Sequence, residues 1–224
     1  FCDNNHAKML KEKVLFITGI DTDAGKTYAT AYLSRMLASQ GRKVITQKFI
    51  QTGCTGSSED IDAHRRLCGG EYYPEDAAGL TAPLIFSYPA SAQLAAAIDG
   101  RTIDMAKIEA CTMELGKNYD SILIEGAGGL MVPIHDDYFT IDYIAEHNYP
   151  AVLVTNGRLG SINHTILSLD ALKKRGIKVA AVVYNRYFDR DKTICADTVG
   201  FIKRYMAHHH PQAEFIDMPC YEQW

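Results

Sequence analysis

A chain of 224 residues is long enough for one well-buried α/β domain and short for two. With 47% hydrophobic and 22% charged residues it reads as an ordinary globule, and a net charge of −4 offers no broad electrostatic attraction to nucleic acid or anionic membrane. No apolar run approaches the ~20 residues that a bilayer span needs, and the six cysteines, without a C-x-x-C pair, suit free thiols in a reducing cytoplasm rather than a zinc knuckle or disulfide framework.

Phe1-Cys2-Asp3-Asn4-Asn5-His6 lacks the apolar core of a secretory signal. Residues 1–12 therefore read as a leader or expression remnant, with Met9 a candidate native start.

The first apolar run, Val14 to Ile17, leads into Gly19-Ile20-Asp21-Thr22-Asp23-Ala24-Gly25-Lys26-Thr27 and then a helical pattern from Lys26 to Gln40, closed by Gly41. Strand, glycine loop and helix in this order make a phosphate cradle. Glycines let backbone N–H groups turn inward, the helix N-terminus adds positive potential, and the lysine supplies a mobile charge. The hydroxyl of Thr27 is then placed to ligate Mg²⁺. Five residues separate Gly19 from Gly25-Lys26, where the common phosphate-loop pattern has four.

Further apolar runs follow at Lys43 to Phe49, Ser121 to Ile124, Ala151 to Thr155 and Lys178 to Tyr184, with a short one at Glu214 to Asp217. None alternates, as expected of strands covered by helices on both faces. Helical stretches at Asp60 to Leu67, Ala90 to Ile98, Asp104 to Leu115 and Asn163 to Lys174 separate them. The expectation is a single α/β domain with a mostly parallel sheet flanked by helices, of the P-loop NTPase kind. The run His208-His209-His210, followed by Pro211, reads as a solvated helix end rather than a metal site.

In such sheets ligands gather at the carboxyl ends of the strands. Lys48 lies at the end of the second run, where an unpaired buried lysine is costly, so a lysine snorkelling at the strand end is the plain alternative to a functional charge. Glu125-Gly126-Ala127-Gly128-Gly129 ends the third, and a carboxylate followed by bare backbone is what a Mg²⁺-nucleotide site requires opposite Thr27. Asp60 and Asp62 both remain candidates to complete that metal shell, and acids there also cap a helix. Gly157 to His164 forms a glycine-containing loop entering a helix, where a second anion could sit. Asn185, at the end of the fifth run, either reads a base edge or forms a turn.

Together these residues resemble the dethiobiotin synthetases, which close the ureido ring late in biotin synthesis. The resemblance covers Val14 to Pro219. It rests on Gly19-x-Asp21-Thr22-x-x-Gly25-Lys26-Thr27 with the family's own spacing, Lys48-x-x-x-Thr52-Gly53, Asp60 ahead of a helix, Phe86-x-x-Pro89, Gly100-Arg101-x-Ile103-Asp104, Glu125 to Gly129 with Pro133, Leu159-Gly160-x-Ile162-Asn163-His164, and Asn185. Two departures stand out: Phe49 replaces the family's usual proline after the lysine, and Ser91-Ala92-Gln93 replaces Ser-Pro-His.

The resemblance implies ATP, Mg²⁺, CO₂ and 7,8-diaminopelargonate as reactants in a cytoplasmic homodimer that engages neither nucleic acid nor membrane. It implies Lys48 and Lys26 as catalytic cations, and Thr27, Asp60 and Glu125 around Mg²⁺. The nucleotide would lie along Asp23, Ala24, Gly25, Lys26, Thr27, Tyr28, Asp60, Glu125, Gly126, Ala127 and Gly128, with Asn185, Pro219, Cys220 and Tyr221 framing adenine. The diamine would meet Thr22, Thr52 and Gly128, its carboxylate tail held by Gly160, Ser161, Ile162 and Asn163 of a partner subunit. Two rivals share the loop. Cobalamin-type amide ligases usually add a glutaminase domain for which this chain has no room. Partition-type ATPase switches carry a lysine where this chain has Ile20.

Overall fold

The computed structural model describes residues 10–224; the expectations about Met9 and the segment before it lie outside the described residues. Six parallel strands form the central sheet in the order β10, β9, β8, β1, β5, β2. These are β1 (Val14–Gly19), β2 (Val44–Lys48), β5 (Ser121–Gly129), β8 (Ala151–Asn156), β9 (Val179–Asn185) and β10 (Glu214–Met218). Two short two-stranded sheets flank it, β3 (Gln51–Thr52) with β4 (Ile85–Phe86) and β6 (Pro133–His135) with β7 (Tyr138–Phe139). The helices are α1 (Lys26–Ser39), α2 (Glu59–Leu67), α3 (Pro74–Ala77), α4 (Ala92–Ile98), α5 (Met105–Leu115), α6 (Thr140–Glu146), α7 (Ser161–Lys174) and α8 (Lys192–His209).

The apolar runs are continuous because each strand feeds two cores. In β1, Leu15 and Ile17 point to one face and pack with Ala29, Leu33 and Leu37 of α1. Phe16, between them, points to the other and joins Phe49 and Tyr143. In β5, Leu123 goes with the first core and Ile122 and Ile124 with the second. Phe49 packs edge-on against Phe16, centroids 5.3 Å apart, and 4.7 Å from Tyr143. Its backbone N–H donates to the Glu125 carbonyl at 2.9 Å, a bond that proline at this position could not make.

All six strands fall where the apolar runs predict them. The structure adds α6 and α8, which sequence periodicity did not reveal, together with the short α3 and the two small sheets. It starts α4 at Ala92, where Ser91 is the N-cap, and α7 at Ser161 rather than Asn163. The inner end of the segment expected as a leader, residues 10–12, makes contacts with the domain. Leu10 is buried in the α1-side core, the Arg42 guanidinium bonds its carbonyl, and Glu12 pairs with Lys178. Among the described residues no helix is long and apolar enough to cross a membrane.

Candidate active site

The loop after β1 is built for close approach. Thr22–Ala24 forms one turn of 3-10 helix, which accommodates the extra loop residue, and the Asp21 carboxylate accepts from the Thr22 N–H at 2.7 Å. Gly25 sits at φ +93°, and a Cβ there would lie 2.1 Å from the amide nitrogen of Asn185. Only glycine serves on both counts. With its nitrogen Asn185 donates to the Ala24 carbonyl at 3.2 Å, and its oxygen accepts from the Tyr187 N–H at 3.1 Å, so it ties the loop after β9 to the phosphate loop.

Lys26 folds back over this loop, its ammonium donating to the carbonyls of Thr22 at 3.0 Å and Asp21 at 3.1 Å. Burial, aided by repulsion from Lys48 and opposed by Glu125, lowers its pKa to about 8. A triphosphate would replace carbonyl dipoles with full negative charge. An ammonium poised in this way exchanges weak partners for strong ones when the ligand arrives.

Four side chains from four elements converge beside the loop: Thr27 from α1, Lys48 from β2, Asp60 from α2 and Glu125 from β5. Thr27 Oγ1, at the start of α1, lies 3.1 Å from Glu125 Oε1 and 3.2 Å from Asp60 Oδ1. Lys48 Nζ, at the end of β2, is 2.9 Å from Glu125 Oε1 and 2.5 Å from Asp60 Oδ2, and donates to the Gly126 carbonyl at 3.2 Å. The lysine therefore does not snorkel; it is held by two acids. Burial works to lower its pKa, but Glu125 and Asp60 outweigh it and raise it. Burial likewise works to raise the Glu125 pKa, but Lys48 first and His64 second hold it well below the usual carboxylate range.

This oxygen set fits Mg²⁺. The Thr27 hydroxyl carries one proton and faces two carboxylate oxygens, so it satisfies one and sets a lone pair against the other. A hard cation that takes one or two carboxylates and keeps its waters matches such an arrangement. Among the described residues no cluster of three or more His, Cys, Asp or Glu side chains forms an all-protein cage. Of the two acids left open by the sequence, Asp60 is the one at the site. Asp62 instead accepts from the Tyr72 and Ser57 hydroxyls at 3.2 and 3.3 Å.

These groups line a cavity of about 590 Å³, in the range of small-molecule sites. Of the residues singled out in the sequence, Thr22, Asp23, Gly25, Lys26, Thr27, Tyr28, Lys48, Thr52, Asp60, Glu125, Ala127, Gly128, Asn185, Pro219, Cys220 and Tyr221 border it. Ala24 and Gly126 stand behind the wall, where their carbonyls accept from Asn185 and Lys48. Gly160, Ser161, Ile162 and Asn163 do not reach the cavity; they open α7 elsewhere on the carboxyl edge, with Leu159 and Gly160 exposed.

Three features escaped the sequence. Tyr187 and Phe188 after β9, and Glu222 and Trp224 at the chain end, line the cavity, and nothing in their spacing marks them. His64, fully buried, bonds Glu125 Oε2 through Nε2 at 2.6 Å. Its signal was present: Asp60 and His64 stand at i and i+4, on one face of α2.

A family model described as an AAA domain matches residues 13–210. The chain is 50% identical over 203 residues to the ATP-dependent dethiobiotin synthetase BioD 2 of Pasteurella multocida, covering 91% of this chain and 95% of that protein. It is 49% identical over 202 residues to the BioD of Chlorobaculum tepidum, covering 88% and 84%. Among solved structures, it superimposes on Cyanthece apo McdA with a TM-score of 0.54 at 18% identity, covering 94% of this chain and 88% of that one. It matches pNOB8 ParA bound to nonspecific DNA with a TM-score of 0.54 at 15% identity, covering 92% and 84%. At those identities the structural likeness speaks for the P-loop fold alone, whereas half of all residues shared over nine-tenths of the chain speaks for descent: the protein belongs to the ATP-dependent dethiobiotin synthetase family.

Proposed function

We propose that the protein closes the ureido ring of dethiobiotin from 7,8-diaminopelargonate, CO₂ and ATP. One amine adds to CO₂ and loses a proton, giving a carbamate. A carbamate oxygen attacks the γ-phosphorus of ATP, the bond to the bridging oxygen breaks, and ADP leaves. The second amine then attacks the carbonyl of the mixed anhydride, closes the ring and expels phosphate.

The observation that carries this reading is the placement of Lys48. Its ammonium stands in the cavity wall between Asp60 and Glu125, on the side of the phosphate loop where Thr22, Thr52 and Gly128 also face the cavity. There it neutralises the carbamate and the charge passing between carbamate and phosphoryl oxygens, a fixed cation in a dry wall. Lys26 turns from the loop carbonyls to the β- and γ-phosphates, and the N–H groups of the α1 N-terminus accept the rest of their charge. Thr27, Asp60 and Glu125 would hold Mg²⁺, which would supply charge neutralisation for the phosphates. Thr52 and Thr22 bond the carbamate or an amine. Asn185 and the segment Pro219 to Tyr221 frame the base.

The positions of Gly160, Ser161, Ile162 and Asn163 outside the cavity of their own chain support a homodimer, in which they would hold the diamine's carboxylate tail across the interface. At the N-terminus of α7 the Ser161 N–H bonds the Arg158 carbonyl at 3.0 Å, which leaves those of Ile162 and Asn163 for an anion, and among the described residues Ser161 Oγ is buried there without a hydrogen-bond partner. The substrates are small molecules, with no part for nucleic acid or membrane, and the compartment is the cytoplasm.

The test is phosphate release from Mg·ATP with and without the diamine and bicarbonate. Release that requires both, with dethiobiotin formed in equal amount, is the expected result. Release indifferent to the diamine would return the site to the partition-type switch or amide ligase reading.

A further inference from the structure

Glu125 has two oxygens with different partners. Oε1 faces Thr27 and Lys48, on the cavity side; Oε2 is held from behind by His64 Nε2 at 2.6 Å. On its far side His64 Nδ1 lies 3.0 Å from Thr46 Oγ1. That hydroxyl in turn receives Arg65 NH1 at 2.8 Å, while the same guanidinium grips both oxygens of Asp76, at 2.9 and 2.8 Å.

Hydrogen-bond accounting fixes two links of this chain. The ionised Glu125 carboxylate can only accept, so His64 Nε2 carries a proton and donates it to Oε2. Arg65 can only donate, so Thr46 Oγ1 and Asp76 both accept from it. Every buried polar atom from Asp76 to Glu125 then has a partner in a compatible role, as low-dielectric networks require.

We infer that His64 is a positioning residue, which locks the Glu125 carboxylate in the rotamer that presents Oε1 to Thr27, Lys48 and the metal, with Thr46 and Arg65 holding the imidazole in place from behind. This rests on the metal reading given above and deepens it. A carboxylate hydrogen-bonded through one oxygen cannot rotate to offer both to an ion, and it stays a single, aimed donor. Without the histidine, the second oxygen of Glu125 would lose its anchor and the carboxylate could rotate away from its place opposite Thr27.

The test measures the affinity of β,γ-imido-ATP by calorimetry, with Mg²⁺ and with excess EDTA, for the wild-type protein, His64→Leu, His64→Asn and His64→Gln. Glutamine carries an amide N–H about where Nε2 lies, whereas asparagine carries one that stops short. The expected result is that leucine and asparagine reduce the Mg²⁺-dependent gain in affinity by about 10–100-fold. Metal-free affinity should stay within about two-fold, and glutamine should restore most of the gain. If His64→Leu fails to fold, the contrast between asparagine and glutamine carries the test. The inference is overturned if all the variants keep the wild-type gain, or if glutamine falls as far as asparagine. A wild-type protein whose affinity is blind to Mg²⁺ would overturn the metal reading, and this inference with it.

Discussion

Lys48 and Glu125 are register partners on adjacent parallel strands, and their side chains meet in a buried ion pair of 2.9 Å at the carboxyl edge of the sheet. The pairing of β2 with β5 therefore sets the geometry of the site before any loop contributes. Slipping that register by one residue would send the lysine to the opposite face of the sheet.

Replacing this lysine separates chemistry from nucleotide binding. Lys48→Ala should lower turnover by about a thousand-fold or more, the scale seen when a fixed charge stabiliser is removed. ADP affinity should stay within a few-fold, because Lys26 and the loop N–H groups remain. Phosphate-release kinetics and ADP calorimetry check this; normal residual turnover with lost nucleotide affinity would invert the assignment.

Asp60 and Asp62 are two residues apart, and only Asp60 faces Thr27 and Lys48. Asp60→Asn should raise the Mg²⁺ concentration needed for half-maximal activity by about ten-fold or more, the loss of one charged contact being worth ~1.5–3 kcal/mol. Asp62→Asn, whose partners are Tyr72 and Ser57, should behave as wild type. A Mg²⁺ titration of both variants decides between them.

Gly25→Ala should abolish nucleotide binding while leaving the sheet intact. The residue lies at φ +93°, and its added methyl would collide with Asn185 at 2.1 Å, so loop and Asn185 must both move. The variant should keep its far-ultraviolet circular dichroism and lose ADP binding in calorimetry. Full retention of binding would show that the loop tolerates a different path.

The pair Arg65 with Asp76 makes stability pH-dependent. Burial works to raise the Asp76 pKa, but the Arg65 hydrogen bonds, the Tyr73 N–H and the Thr81 hydroxyl outweigh it and hold it below 3.8. Between the folded and unfolded values the unfolded chain binds more protons. The contribution is therefore fully present above about pH 4 and is lost as pH falls through the folded value. Asp76→Asn leaves Arg65 buried against a neutral partner and should cost about 3 kcal/mol at pH 7. That deficit should shrink as the wild type is acidified, which urea unfolding at pH 7 and pH 3 measures. A deficit constant with pH would point to packing rather than charge.

The sequence alone carried the sheet and the nucleotide half of the site. Continuous apolar runs are forced on strands that feed two cores, as Leu15, Phe16 and Ile17 do, so six strands were legible. A phosphate loop is a local device, complete within nine residues, so Gly19 to Thr27 declared its chemistry unaided. Of α8 only the end at His208 to His210 was read; its body was not, although its buried residues Cys195, Thr198, Ile202 and Met206 keep a three- and four-residue spacing, because two of them are polar or small.

What only the tertiary structure decided are relationships between distant segments. It placed Asp60 rather than Asp62 against Thr27 and Lys48, because which carboxylate on α2 meets them depends on how that helix docks. It turned Lys48 from a lysine that could snorkel to solvent into one bound by two acids, and brought His64 behind Glu125 across 61 residues. The physical reason is that burial and charge pairing arise only where strands and helices meet, and no periodicity within one segment records the partner that another supplies.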